Sequence, residues 1–124
     1  MASSKWMTWD ELSTKTAKRR VVFWGASNWI ERTLDHMSID AVFVVDGSTL
    51  NQGTVYCGLD VVPPQELTEI NRDEHYVVIT TGNYESVIET LHEVGWAMGD
   101  DFCCTPLLNE HRHVDDLVGH TLKI

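Results

Sequence analysis

The sequence of 124 residues predicts one α/β domain with three layers and a mainly parallel sheet. Two observations support this prediction. Segments with helical spacing of apolar residues alternate with short, largely apolar segments, and such alternation is typical of parallel sheets with right-handed crossovers. The apolar segments have few polar interruptions, as expected of strands covered on both faces. The predicted strands lie near residues 20–24, 40–45, 76–81 and 101–105.

The first two helices are predicted from capping signals. A capping-box pattern that begins at Thr8 predicts a helix over residues 6–17. Ser27 or Asn28 is the expected N-cap of a second helix over residues 27–37, because short polar side chains there satisfy backbone donors.

The second half of the chain follows the same logic. Residues 55–62 predict a weak extended stretch, and Pro64 starts a short helix. Apolar periodicity predicts a helix over residues 84–94, which Gly95 ends. The predicted organisation is an N-terminal helical extension, a Rossmann-like domain and a polar tail, at residues 1–18, 19–108 and 109–124.

Composition restricts the partners. The formal net charge of −10 repels nucleic acids and anionic lipid, so neither is a predicted partner. The cluster Lys15, Lys18, Arg19 and Arg20 is explained by the end of the first helix, where positive charge is favourable. The three cysteines, with no signal-peptide pattern, predict reduced thiols in a cytoplasmic protein.

The segment after the first strand is the strongest functional signal. Gly25 follows an apolar run and precedes a helix, as the first glycine of a dinucleotide-binding turn does. Asp46 ends the second strand about 20 residues later, where such folds place an acid that binds ribose. Strand ends of open α/β sheets line the binding crevice. The predicted binding residues are Gly25, Ala26, Ser27, Asp46, Gly82 and Asn83.

Simpler interpretations of the same residues remain open at this point. Gly25 serves equally well to make a tight turn, and Asp46 to begin the turn that includes Gly47. Gly82 and Asn83 are also compatible with a plain break after a strand.

The order of motifs also resembles a known family. It comprises the Gly25-Ala26-Ser27 turn, the strand that ends at Asp46, the segment from Gly53 to Leu67 and the helix ended by Gly95. Over residues 19–108 the chain resembles the small nucleotide-sugar-binding domain of polysaccharide-biosynthesis proteins. That domain forms the N-terminal part of bacterial sugar acetyltransferases and is appended to sugar C-methyltransferases. In the acetyltransferases the acetyl-transfer site belongs to a following β-helix with a hexapeptide repeat, which this sequence lacks.

The predicted function is a nucleotide or sugar-nucleotide binding module in surface-polysaccharide biosynthesis, with no catalytic centre and no assigned cofactor. The alternatives are a vestigial Rossmann-like domain that binds protein and a small NAD(P)-dependent oxidoreductase. A zinc site at His111 and His113 is the less favoured interpretation of a polar tail, so no metal is predicted.

Trp6 and Trp9 predict association. They lie on a helix outside the βαβ units, and paired indoles are typical of interfaces. We expect a homodimer or a protein partner at this surface. The alternative is that both rings cover the domain's own core.

Overall fold

The structure, a computed structural model, describes residues 6–109. Its α-helices include α1 (Trp9–Thr16), α2 (Asn28–His36) and α3 (Tyr84–Glu93), and residues 106–109 are also helical. Its strands are β1 (Arg20–Trp24), β2 (Ala41–Val45), β3 (Val55–Tyr56), β4 (Leu59–Val62), β5 (His75–Ile79) and β6 (Phe102–Cys104). Two 3₁₀ helices occupy Pro64–Glu69 and Arg72–Glu74. Among these described elements, no helix combines the length and the apolar character that crossing a membrane requires.

The six strands form one sheet in the order β3-β4-β2-β1-β5-β6. All neighbours are parallel except β3 and β4, which form an antiparallel hairpin at one edge. This confirms the predicted α/β class and the mainly parallel sheet. The four predicted strands correspond to β1, β2, β5 and β6, with boundaries shifted by up to a few residues.

The β3–β4 hairpin differs from the single extended stretch that the sequence predicts. Cys57 and Gly58 connect the two strands, and both have positive φ, 54° and 77°. Such a two-residue turn matches the twist of an antiparallel pair. Cysteine is an unusual residue at its first position, so the turn lacks the asparagine or aspartate that normally reveals it.

The helix caps follow the predicted chemistry, but α1 begins at Trp9 and not at residue 6, so Trp6 lies before the helix and not on it as predicted. Thr8 and Glu11 form the expected capping box of α1, and Ser27 is the N-cap of α2. Gly95, with φ of +92°, follows α3 and donates to the carbonyl of His92, while Trp96 donates to Leu91. These two bonds form the Schellman arrangement that glycine permits. The helix predicted at Pro64 is 3₁₀ and not α.

The sheet separates two apolar clusters, one on each face. Alternate residues of β1 enter different clusters, with Val22 on one side and Phe23 on the other. The first cluster includes Leu91 of α3, and the second includes Leu12 of α1 and Ile30 of α2. Helices therefore cover both faces, which explains why β1 and β5 are apolar at nearly every position. Cys103 and Cys104 point to opposite faces, as neighbouring strand residues must.

The N-terminal segment lies beside the edge strand β6. Trp6 forms a parallel bridge with Cys104, and its ring centroid lies 5.2 Å from that of Tyr84. Trp9 lies 4.3 Å from the ring of His36 and packs on the opposite cluster. Both tryptophans thus cover the chain's own core from opposite faces, which is the alternative that the sequence left open. Association through them stays a prediction.

Arg19 joins the segment before β1 to two distant loops. Its guanidinium donates to the carbonyls of Arg72, Asp73 and Asp100 and to the carboxylate of Asp101, at 3.2 Å. The side chains of Arg19 and Asp101 are only 19% and 11% exposed. Asp101 also accepts the Ala97 amide at 2.8 Å. Removing the arginine therefore takes one donor from each of three carbonyls. It also leaves the largely buried Asp101 carboxylate with only the Ala97 amide and the more exposed guanidinium of Arg72, which lies 3.8 Å away.

We predict that Arg19→Met lowers the free energy of unfolding by roughly 3 kcal/mol, because it breaks a largely buried ion pair on one side. Lys15→Met is the matched control. The Lys15–Asp100 pair is 39% and 69% exposed, so its loss costs below about 1 kcal/mol. Urea unfolding of both variants measures the difference, and equal losses would contradict the assigned role of Arg19.

A second prediction concerns alkaline pH. Burial raises the pKa of the Cys103 thiol from 9.0 to about 12, although a hydrogen bond from Tyr76 lowers it. The folded state therefore holds this proton while the unfolded chain releases it, so stability falls as pH rises above 9. Cys103→Ala removes the titrating thiol and with it this pH dependence. We expect its stability to fall less steeply than the wild type's between about pH 9 and 10, by roughly 1 kcal/mol per pH unit. Parallel curves in urea titrations would contradict this.

Candidate functional site

The parallel strands bring three loops to the carboxyl edge of the sheet. β1 leads into the turn at Gly25, β2 into Asp46, and β5 into Thr80. Because β1 lies between β2 and β5, its turn is flanked by the other two loops. In parallel sheets of this kind, ligands bind at this edge.

A cleft of about 320 Å³ opens here between the β2 loop and α3. Most side chains that line it are hydroxyl or amide groups, which both donate and accept hydrogen bonds. Within the described chain, the carboxylate of Asp46 is the one charged group among the lining residues. The lining residues are Trp24, Gly25, Asp46, Gly47, Ser48, Thr81, Asn83, Ser86, Val87 and Thr90.

Gly25 is required by the packing of two chain segments. Its φ is +117°, and a Cβ there would lie 2.9 Å from the Thr81 Cβ and 3.1 Å from the Thr80 carbonyl. Its amide donates to Val45, and its carbonyl accepts from the Thr80 hydroxyl at 2.7 Å. The absence of a side chain therefore lets the β1 turn approach the end of β5, independently of any ligand.

Asp46 is engaged by its own surroundings. Its Oδ2 accepts the Ala26 amide at 2.9 Å and the Asn51 side chain at 3.2 Å. Its Oδ1 accepts the Ser48 amide at 2.8 Å, and its backbone carbonyl accepts the Gln52 side chain. The carboxylate thus ties the β1 turn to the loop after β2. This supports the interpretation of Asp46 as a turn residue and leaves it fewer free lone pairs for a ribose.

Ser27 is engaged in the same way. Its hydroxyl donates to the Thr80 carbonyl at 2.6 Å and accepts the Trp29 amide at 3.3 Å, which caps α2. A hydroxyl has one proton, so the bond to Thr80 uses the donor that a phosphate would need.

The two remaining predicted residues separate. Asn83 lines the cleft and is the N-cap of α3, where its side chain makes no capping hydrogen bond. Gly82 is exposed and does not line the cleft. A Cβ on Gly82 would have no atom within 4 Å, so this position does not need glycine for space.

The structure therefore brings Gly25, Asp46 and Asn83 into one cleft. Ala26 and Ser27 do not line it, but their amide and hydroxyl groups donate to Asp46 and Thr80 beside it. Sequence reasoning missed the hydroxyl groups that make up the rest of the lining. Ser86 and Thr90 are four residues apart on α3, so helical periodicity places them on one face. Ser48 and Thr81 follow strand ends, so the argument that predicted Asp46 could also have predicted them.

Two larger clefts, of about 700 and 910 Å³, open at the amino edge of the sheet around the end of α1. Basic and acidic side chains are mixed there, including Lys18, Arg20, Asp40 and Glu74. The C-terminal carbonyls of α1 favour the cations of this edge. We therefore assign these clefts to the hydrated surface of the fold, in spite of their size.

Between residues 6 and 109, no three histidine, cysteine or acidic side chains are grouped so that they could hold a metal ion. His111 and His113 lie outside the described residues.

Comparison with known proteins adds no assignment. No protein-family model matches the chain, and no curated protein matches it at a significant level.

The contrast between two glycines gives a prediction. We expect Gly25→Ala to destabilise the fold by roughly 3 kcal/mol, because it adds a positive-φ penalty to a steric clash. Gly82→Ala, which meets no atom within 4 Å, is expected to change stability by less than about 0.5 kcal/mol. Thermal and urea unfolding measure both. A Gly25→Ala variant as stable as Gly82→Ala would show that the turn relaxes away from Thr81.

Proposed function

We propose that this protein is a cytoplasmic, three-layer Rossmann-like module that binds a sugar nucleotide or nucleotide at the carboxyl edge of its sheet. Its place is surface-polysaccharide biosynthesis, and the module has no catalytic centre of its own. The support from sequence is the family resemblance. The support from geometry is the cleft between the β2 loop and α3.

The lining of the cleft carries the proposal. Ser48, Thr81, Ser86 and Thr90 surround it with hydroxyl groups, and Asn83 adds an amide. A sugar or a nucleobase edge presents a mixture of donors and acceptors, and groups that can do either suit both. Concave sites with a few convergent polar groups are the usual form of small-molecule sites.

The start of α3 offers a place for negative charge. Its first-turn amides donate no hydrogen bond to the Asn83 side chain, and the positive end of the helix dipole lies there. Asn83, Ser86 and Val87 place this turn at the cleft. A phosphate bound at α3 would avoid the β1 turn, where Ala26 and Ser27 are already bonded.

A protein-binding domain is the second candidate, and the engagement of the predicted phosphate groups favours it. The Ala26 amide bonds Asp46, and the Ser27 hydroxyl bonds Thr80. A domain that has lost its ligand would keep such bonds because they stabilise the loops. In this case the cleft is a remnant, and the module serves as a scaffold.

The test is the binding of UDP-, GDP- and CDP-sugars and of NAD(P)H, measured by calorimetry and by thermal unfolding. A ligand present at about one hundred times its Kd should stabilise the protein by about 2.7 kcal/mol. We expect a shift with at least one sugar nucleotide. A shift with NAD(P)H alone would favour the oxidoreductase, and no shift with any ligand would leave the scaffold.

A pair of variants locates the site. Ser86→Trp places an indole in the lining of the cleft, whereas Glu85→Trp places it on an exposed neighbour outside the lining. We expect the first to abolish the ligand-induced shift and the second to retain it. If both variants retain the shift, the ligand binds elsewhere on the protein.

A further inference from the structure

We infer that Asp46 is a specificity-determining residue of this site, because its carboxylate acts as an internal anion at the β1 turn and competes with a ligand phosphate. The inference rests on the proposed function, and it reverses the role that the sequence assigns to this acid. An acid that accepts from ribose helps the ligand to bind. An acid that occupies the phosphate position opposes it.

The contact that carries the inference joins Ala26 and Asp46. In a dinucleotide-binding turn, backbone amides after the first glycine point at the pyrophosphate. Here the Ala26 amide points at Asp46 Oδ2, at 2.9 Å, and the positive φ of Gly25 sets the preceding backbone. A carboxylate oxygen and a phosphate oxygen are the same kind of acceptor for this donor. A phosphate can use the amide only after Asp46 leaves it.

The carboxylate is firmly held in this position. It accepts from Ala26, Ser48 and Asn51, all within 3.2 Å. Moving the Asp46 carboxylate away from the Ala26 amide would break a charge-assisted hydrogen bond. If the carboxylate stays in place, a phosphate bound at the β1 turn would lie beside a second anion. No cation among the described lining residues offsets that repulsion. A neutral part of the ligand, such as a nucleoside, meets neither obstacle.

The test compares charged and neutral probes on matched variants. Asp46→Asn removes the charge and keeps one amide oxygen as an acceptor. Asp60→Asn is the control, because Asp60 is an exposed acid on β4 and its change alters the net charge equally. Calorimetry with inorganic pyrophosphate, UDP, GDP and CDP, and with the corresponding nucleosides, reports on each class of ligand group.

We expect Asp46→Asn to bind pyrophosphate and the nucleoside diphosphates roughly tenfold more tightly than the wild type, a change of about 1.4 kcal/mol. The affinity for nucleosides should stay the same, and Asp60→Asn should match the wild type throughout. Thermal unfolding without ligand establishes that each variant folds. If the asparagine variant does not fold, Asp46→Ser provides the same loss of charge.

Three results would overturn the inference, and the third also rejects the proposed function. Weaker binding of diphosphates by Asp46→Asn would show that the acid contacts the ligand favourably, and an equal gain in Asp60→Asn would reduce the effect to net charge. The proposed function fails separately. If Asp46→Asn gains affinity for pyrophosphate while no sugar nucleotide binds the wild type, the inference stands and the binding module does not. If no probe binds either protein, both are rejected.

Discussion

The carboxyl edge of the sheet depends on one junction, in which three loops share a set of short hydrogen bonds. The carbonyl of Gly25 accepts from Thr80, the Ser27 hydroxyl donates to Thr80, and the Ala26 amide donates to Asp46. Because Gly25 has no side chain, the β1 turn can approach β5 closely enough to make these bonds. The loop after β2 is then held against the turn through Asp46.

The fold was easier to predict than the site. Strands buried on both faces are recognisable in sequence, since β1 and β5 need apolar residues on both sides. The helix caps at Thr8 and Gly95 are equally recognisable in sequence. The β3–β4 hairpin is not, because its turn depends on Cys57 in a conformation that cysteine rarely adopts.

Site residues were predicted by type and position, and both were informative. The strand-end rule predicted that Gly25, Asp46 and Asn83 lie at one edge of the sheet, and all three line one cleft there. It could not show whether their polar groups face a ligand or one another, because that depends on the partners that the fold brings to them. Thr80 is the decisive case. Thr80 is fully buried and lies far from Ser27 in sequence, and its backbone carbonyl accepts the hydrogen bond that the Ser27 hydroxyl donates.

A rigid junction is compatible with both candidate functions, and electrostatics is what separates them. Internal bonds that hold the loops lower the conformational cost of binding, so they help a ligand that uses the cleft as it stands. The same bonds, together with the negative charge of Asp46, oppose a ligand that must place phosphate on the β1 turn. A sugar nucleotide is therefore compatible with this site when its neutral groups meet the hydroxyl lining and its phosphates lie toward α3. A protein partner has no such requirement, because it can use the loops as a fixed surface and leave the junction intact.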